Sequence, residues 1–206
     1  LAWKRQAKRP VVLAASTREG EEALLLQAWC ELPQPRPLLL LVPRHPQRFD
    51  EVATQVEQSG LTLQRRSAWA APGEGADALP PDRALQADVW LGDSLGEMPL
   101  YYAAAHVALL GGSFAPLGGQ NLIEAAACGC PVIMGPHTFN FAQAAQQALQ
   151  AQAAWRVADM QEGVRLAVLQ SQSMPELPAQ QALKFAQSHR GAAQRQAQAI
   201  LEVMGR

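Results

Sequence analysis

At 206 residues, with 49% hydrophobic and 17% charged positions, the chain has the composition of a globular, soluble protein and is too apolar for a disordered one. A formal net charge of -1, with no Lys/Arg run longer than two residues, excludes a dedicated nucleic-acid binder. Apolar runs such as Pro37 to Pro43 fall far short of the roughly 20 residues of a membrane helix.

The start, Leu1-Ala2-Trp3-Lys4-Arg5, has neither an initiator Met nor a secretory apolar region, so the chain is expected to be cut from a longer protein. Val11 to Ala15 reads as a strand closed by Ser16 and Thr17, and Glu19 to Glu31 follows with helical spacing. Leu38 to Val42, an aliphatic run between prolines, predicts a strand covered on both faces, and Arg48 to Gly60 a polar helix. Leu61 to Arg65 predicts a third strand. Residues 67 to 86, with their prolines and glycines, predict a flexible excursion.

From Asp88 the alternation resumes, with strands at Asp88 to Leu91, Val107 to Leu110, Val132 to Met134 and Ala154 to Val157. Helices are predicted between them at Glu97 to Ala104, Asn121 to Cys128 and Phe141 to Leu149, and after them at Met160 to Gln170 and Ala179 to Val203. Such alternation implies βαβ crossovers, a Rossmann-like, doubly wound parallel sheet in an α/β domain. One domain spans 1–206, with the segment 179–206 placed either outside the core or toward a further domain. Cys30, Cys128 and Cys130 contain no CxxC pair, which fits a reducing compartment and indicates neither a zinc site nor a disulfide framework.

Ligands of an open parallel sheet bind outside the carboxyl ends of its strands. The residues there are polar and Gly-rich: Ser16-Thr17-Arg18-Glu19-Gly20, Pro43-Arg44-His45, Gly92 to Glu97, Gly111-Gly112-Ser113, Gly118 to Asn121, and Gly135 to Asn140 with His137. Glycines running into a helix suit a phosphate, although neither a Walker loop nor GxGxxG is present. Glu124, one turn into the helix after Asn121, can accept bonds from vicinal ribose hydroxyls, or can simply complement the helix dipole. Arg44 offers a fork to phosphate, or is a surface arginine. His45 and His137 suit a phosphate or a sugar carboxylate, but lone histidines are often structural. Capping explains Glu97 as well as ligand binding does, and Ser16, Thr17 and Glu19 could be an N-cap with an acidic first turn.

Taken in order, STREGEE, PRHPQRF and the long string GDSLGEMPLYYAAAHVALLGGSFAPLGGQNLIEAAACGCPVIMGPHTFNFAQ resemble the C-terminal half of the 3-deoxy-D-manno-octulosonic acid (Kdo) transferase family. The likeness spans about residues 11 to 160. It implies the C-terminal domain of a GT-B glycosyltransferase that moves Kdo from CMP-Kdo to lipid A precursor in lipopolysaccharide biosynthesis. The reaction inverts the sugar and requires neither cofactor nor metal, and the parent protein works on the cytoplasmic side of the bacterial inner membrane. By matched positions, CMP contacts fall on Pro43, Arg44, Leu95, Gly96, Glu97, Asn121, Leu122, Ile123 and Glu124, with Ser16, Gly112, Ser113 and His137 as possible donor contacts. Gln120 stands where the family commonly has His. The general base and the lipid A contacts belong to the N-terminal half, so this half alone is expected to be inactive. The alternatives are a UDP-sugar-using GT-B transferase or epimerase, and a nucleotide-binding module without chemistry.

Overall fold

The computed structural model describes residues 2–69, 79–173 and 176–189, and these form a seven-stranded parallel sheet in the order β3-β4-β2-β1-β5-β6-β7. The strands are β1 (Val11–Thr17), β2 (Leu38–Pro43), β3 (Leu63–Arg65), β4 (Val89–Leu91), β5 (Val107–Leu110), β6 (Val132–Met134) and β7 (Ala154–Arg156). The helices are α1 (Ala2–Ala7), α2 (Glu21–Cys30), α3 (Phe49–Gln58), α4 (Asp82–Gln86), α5 (Met98–Ala104), α6 (Leu122–Ala127), α7 (Ala142–Gln150), α8 (Met160–Ser173) and α9 (Glu176–His189).

The unbroken aliphatic strands are explained by cover on both sheet faces. Alternate residues of β1 and β2 divide between two cores: Val11, Leu13, Leu38 and Leu40 meet Trp90, Tyr101 and Leu122, whereas Val12, Ala14, Leu39 and Leu41 meet Leu25, Trp29, Val52 and Val164. Helices α1, α5, α6, α7 and α9 therefore lie over one face, and α2, α3 and α8 over the other. Burying a large aliphatic side chain of this kind is worth about 1.5–3 kcal/mol, so cover on both faces stabilises every aliphatic residue of β1 and β2 rather than alternate ones.

Two elements depart from expectation. Helix α1 is amphipathic in a way its short, basic sequence conceals: Trp3 is buried with its ring 5.1 Å from that of Trp69, and Ala7 is also buried. Helix α4 ends the supposed excursion over residues 67 to 86, because Ala84 is buried and its carbonyl accepts the Trp90 indole N–H at 2.6 Å. Residues 70–78 of that excursion lie outside the described residues, as does the predicted helix beyond His189.

Placement of 179–206 outside the core is corrected over its described part. Ala182, Phe185 and Ala186 are buried against the α6 and α7 side of the core, and His189 meets Gln147 at 3.0 Å. Among the described residues no helix is long and apolar enough to cross a membrane.

Candidate functional site

Strand order reverses at β1 and β5, so the crevice between their carboxyl ends is where an open α/β sheet admits a ligand. β1 ends there in an irregularity: its pairing with β2 shifts between Ala15 and Thr17, and Ser16 takes a left-handed φ of 55°. The two strand ends lie very close. A Cβ on Gly111 would sit 2.2 Å from the Ser16 carbonyl oxygen, so only glycine fits.

The loop from Gly111 to Ala115 is held by a residue the sequence did not single out. Glu21, 1% exposed, accepts the backbone N–H groups of Gly112 at 2.8 Å, Phe114 at 3.0 Å, Ala115 at 3.2 Å and Arg18 at 2.9 Å. This carboxylate occupies the amide nest that the sequence suggested for a phosphate, which corrects that expectation for the loop's first half. Gly112 and Ser113, expected as possible donor contacts, are committed to the loop as well. The Gly112 carbonyl accepts the Gly119 N–H at 2.8 Å, while the wholly buried Ser113 hydroxyl donates to Leu110 and accepts the Gly135 N–H at 2.9 Å.

Ser16, Thr17 and Glu19 do not cap α2; its N-cap is Gly20, without a side-chain cap bond. The Thr17 hydroxyl instead donates to Glu22 at 2.8 Å, and the same buried carboxylate receives Arg48 at 2.6 Å.

Next along the edge, Pro43 is buried and ends β2, and Arg44 and His45 project from it exposed. The Arg44 N–H donates to the Thr17 carbonyl at 2.9 Å, while its guanidinium makes no ion pair among the described residues. Leu95 is 77% exposed and Gly96 has a φ of 78°.

Glu97 is neither a side-chain cap nor open to a ligand. Its carboxylate takes Arg66 at 2.7 Å, Ser94, and the Tyr101 hydroxyl at 3.2 Å. Any nucleotide contact from Leu95-Gly96-Glu97 therefore falls to the backbone and to Leu95. Arg66 in turn lies 5.1 Å from the Trp3 ring centroid and 5.4 Å from that of Trp69.

At the start of α6 the arrangement is open. Asn121 caps the helix, its Oδ1 accepting the Ile123 N–H at 3.1 Å, and its amide donates to Glu124 at 3.3 Å. Glu124 is exposed and has no cation partner among the described residues. Leu122 is 1% exposed and Ile123 packs on the core, so neither expected CMP contact presents its side chain freely to the edge. The half-buried His137 is fixed through its backbone, whose N–H donates to Ser113 at 3.0 Å. Gln120 lies beside Gly112, its amide 3.3 Å from where a Cβ there would be.

One buried residue gathers these groups. Burial pushes the Tyr102 hydroxyl well above its ordinary range, and Cys130, Glu124 and Cys128 push it further while Arg44 opposes. Arg44 and Glu124, from the corners after β2 and β5, thus act on the same point. Tyr102 lay unremarked in the sequence because its depth under the edge is a tertiary property. Among the described residues no group of three or more His, Cys, Asp or Glu could hold a metal ion.

No family model matches the chain. It is 47% identical to the 3-deoxy-D-manno-octulosonic acid transferase of Bordetella pertussis over 212 residues, which take in 99% of this chain and 47% of that protein. It is 36% identical to that of Haemophilus influenzae, over 94% of this chain and 43% of the relative. The chain thus spans about half the length of the curated relatives it matches. Among solved structures, the C-terminal CMP-Kdo binding domain of WaaA from Acinetobacter baumannii is similar over 90% of this chain and 98% of that one, at 32% identity and a TM-score of 0.74. WaaG, a glycosyltransferase involved in lipopolysaccharide biosynthesis, has a TM-score of 0.56 at 18% identity over 91% of this chain and 46% of that one, a likeness of fold alone.

Proposed function

The chain belongs to the Kdo transferase family and has the GT-B fold of that family's C-terminal domain, and from this premise we propose that it binds CMP-Kdo across the carboxyl ends of β1, β2, β4 and β5. Arg44 meets the phosphate, Glu124 accepts the ribose hydroxyls, and the backbone of Leu95 to Glu97 closes over the nucleotide. Support comes above all from the 32% identity to the CMP-Kdo binding domain of WaaA over 98% of that chain, and from an exposed Arg44 without an ion pair and an exposed Glu124 without a cation partner, among the described residues, at the same end of the sheet.

In the proposed reaction, an acceptor hydroxyl of lipid A precursor attacks the anomeric carbon of Kdo. The bond to the phosphate oxygen breaks, CMP departs with the electron pair, and the configuration inverts. Arg44 stabilises the charge that develops on the phosphate, and a base across the cleft takes the acceptor proton. The domain's part is to orient the donor and hold the leaving group. No cofactor enters this scheme, and the whole protein would serve lipopolysaccharide assembly at the cytoplasmic side of the inner membrane.

Calorimetric titration of the 206-residue chain with CMP, UMP and UDP tests the donor reading. Preference for CMP is expected, and tighter binding of UDP would move the chain to a UDP-sugar-using transferase. Because a GT-B site lies between two domains, these 206 residues alone are expected to bind CMP yet transfer no sugar. Measurable Kdo transfer to a lipid A precursor by them would overturn that division of labour.

A further inference from the structure

We propose that Arg18 recognises the carboxylate of the donor sugar, leaving the phosphate to Arg44, and so selects a carboxylated sugar over a neutral one. The inference rests on the donor site proposed above.

It begins with the cations at this edge of the sheet. Arg48 is paired with Glu22 at 2.6 Å and Glu51 at 2.8 Å, Arg65 with Asp93 at 2.9 Å and with Asp50, and Arg66 with Glu97 at 2.7 Å. Arg156 donates to the Thr138 hydroxyl at 2.8 Å. Among the described residues the side chains of Arg18 and Arg44 make no hydrogen bond or ion pair. The fold commits its other arginines here and leaves these two available.

Their placement is specific. Thr17 and Pro43 are Cα partners in neighbouring parallel strands, and the next residues are Arg18 and Arg44, with the Arg44 N–H on the Thr17 carbonyl at 2.9 Å. The two arginines therefore leave the sheet about one strand spacing apart, roughly 4.8 Å. Arg18 is the one nearer the β1/β5 crevice. It is half-buried, and its backbone is pinned from both sides by Glu21, whose carboxylate accepts the Arg18 N–H at 2.9 Å and whose own N–H donates to the Arg18 carbonyl at 3.0 Å. The same carboxylate holds the loop after β5, so Arg18 and the crevice wall are one rigid piece.

A CMP-linked ulosonic acid carries two anions close together: its carboxylate is bonded to the same anomeric carbon that bears the phosphate oxygen. Two arginines rooted on neighbouring strand ends can answer this pair, and a planar fork suits a carboxylate better than a point charge does. A neutral hexose nucleotide would leave the second fork unanswered.

The experiment is an equilibrium titration of the chain and its Arg18→Gln and Arg18→Lys variants with CMP, CMP-Kdo and the carboxamide of CMP-Kdo, in which only the carboxylate is changed. Arg18→Gln is expected to weaken CMP-Kdo roughly 10- to 100-fold while leaving CMP unchanged. In the wild type the carboxamide should bind more weakly than CMP-Kdo, and the Gln variant should not distinguish them. Arg18→Lys should fall between, keeping charge without the fork.

Equal losses for CMP and CMP-Kdo would place Arg18 on the nucleotide and overturn the inference. So would a wild type that binds the carboxamide as tightly as CMP-Kdo, or a Gln variant that binds every ligand as the wild type does. A wild type that binds no CMP would instead overturn the donor site itself, and this inference with it. If Arg18→Gln fails to fold, the wild-type comparison of the two donors and the Lys variant still decide.

Discussion

The corners after β4 and β5 are built from the same parts, a glycine-bearing loop that leads into a helix with a glutamate at or near its start, yet the fold uses the two glutamates in opposite ways. Glu97 is held by Arg66, Ser94 and Tyr101 beneath the surface. Glu124 stands in solvent and, among the described residues, its carboxylate accepts a hydrogen bond only from the Asn121 amide. The difference is one of neighbours. The chain brings a buried arginine to the first corner from the end of β3, whereas no cation among the described residues forms an ion pair with the glutamate of the second. A glutamate in a binding motif can thus be a strut or a ligand-facing group, and only the residue opposite it decides which.

The largest effect should come from removing the strut. Glu97→Ala takes away the carboxylate that neutralises Arg66, and loss of one partner from a buried pair costs about 3–5 kcal/mol. Chemical denaturation should show that loss, while Glu124→Ala should shift stability by less than about 1 kcal/mol. Similar destabilisation by both would break the contrast.

On the ligand side, Arg44→Ala is expected to cost ~1.5–3 kcal/mol in CMP binding and far less in cytidine binding, because it would remove the proposed charge-assisted phosphate contact. Equal losses for both ligands, read by calorimetry, would move Arg44 to the base or out of the site. Glu124→Gln should cost ~1–3 kcal/mol in CMP affinity with an unchanged melt, and 2′-deoxy-CMP should be much less sensitive to the substitution. A variant that melts lower but binds CMP normally would make Glu124 a second strut.

The smallest effect serves as a control, at the opposite edge of the sheet. Burial, with Lys4 nearby, lowers His106 from 6.5 to about 4, and its Nδ1 accepts the Val11 N–H at 3.0 Å. The unfolded chain therefore takes up this proton first as pH falls. The stability is present above pH 6.5 and is lost progressively between 6.5 and about 4. Thermal melts across that range should fall less steeply for His106→Asn, which can keep an acceptor near Val11. An identical slope would take His106 out of the acid response.

The fold was legible because its strands are aliphatic runs bounded by prolines, glycines and polar residues, and Val107 to Leu110 and Val132 to Met134 were read to the residue. Helix α1 was not, since its only large apolar anchor, Trp3, finds its partner Trp69 far along the chain. Helix α4 was hidden by the prolines before it. Parallel strands guaranteed that the polar clusters share one end of the sheet, so the positions of Arg44 and Glu124 at that end could be read from sequence. Which polar groups were already spent could not be read, because the bonds that spend them cross long distances in sequence. Gly112 is 91 residues from Glu21, and Arg66 is 31 from Glu97. Glu21 stood in the STREGEE string but was not marked out from the acidic residues around it, since the loop it holds lies 91 residues further on.

Close approach at Gly111 affects how functional data on this domain will read. A saturation library scored by nucleotide binding would mark position 111 as intolerant as any contact residue, although its substitution acts by forcing the Ser16 carbonyl aside. The damage would spread to both walls of the crevice and mimic an active-site lesion. Counting surviving folded protein alongside bound nucleotide would separate positions that touch the ligand from those that only keep β1 and β5 together.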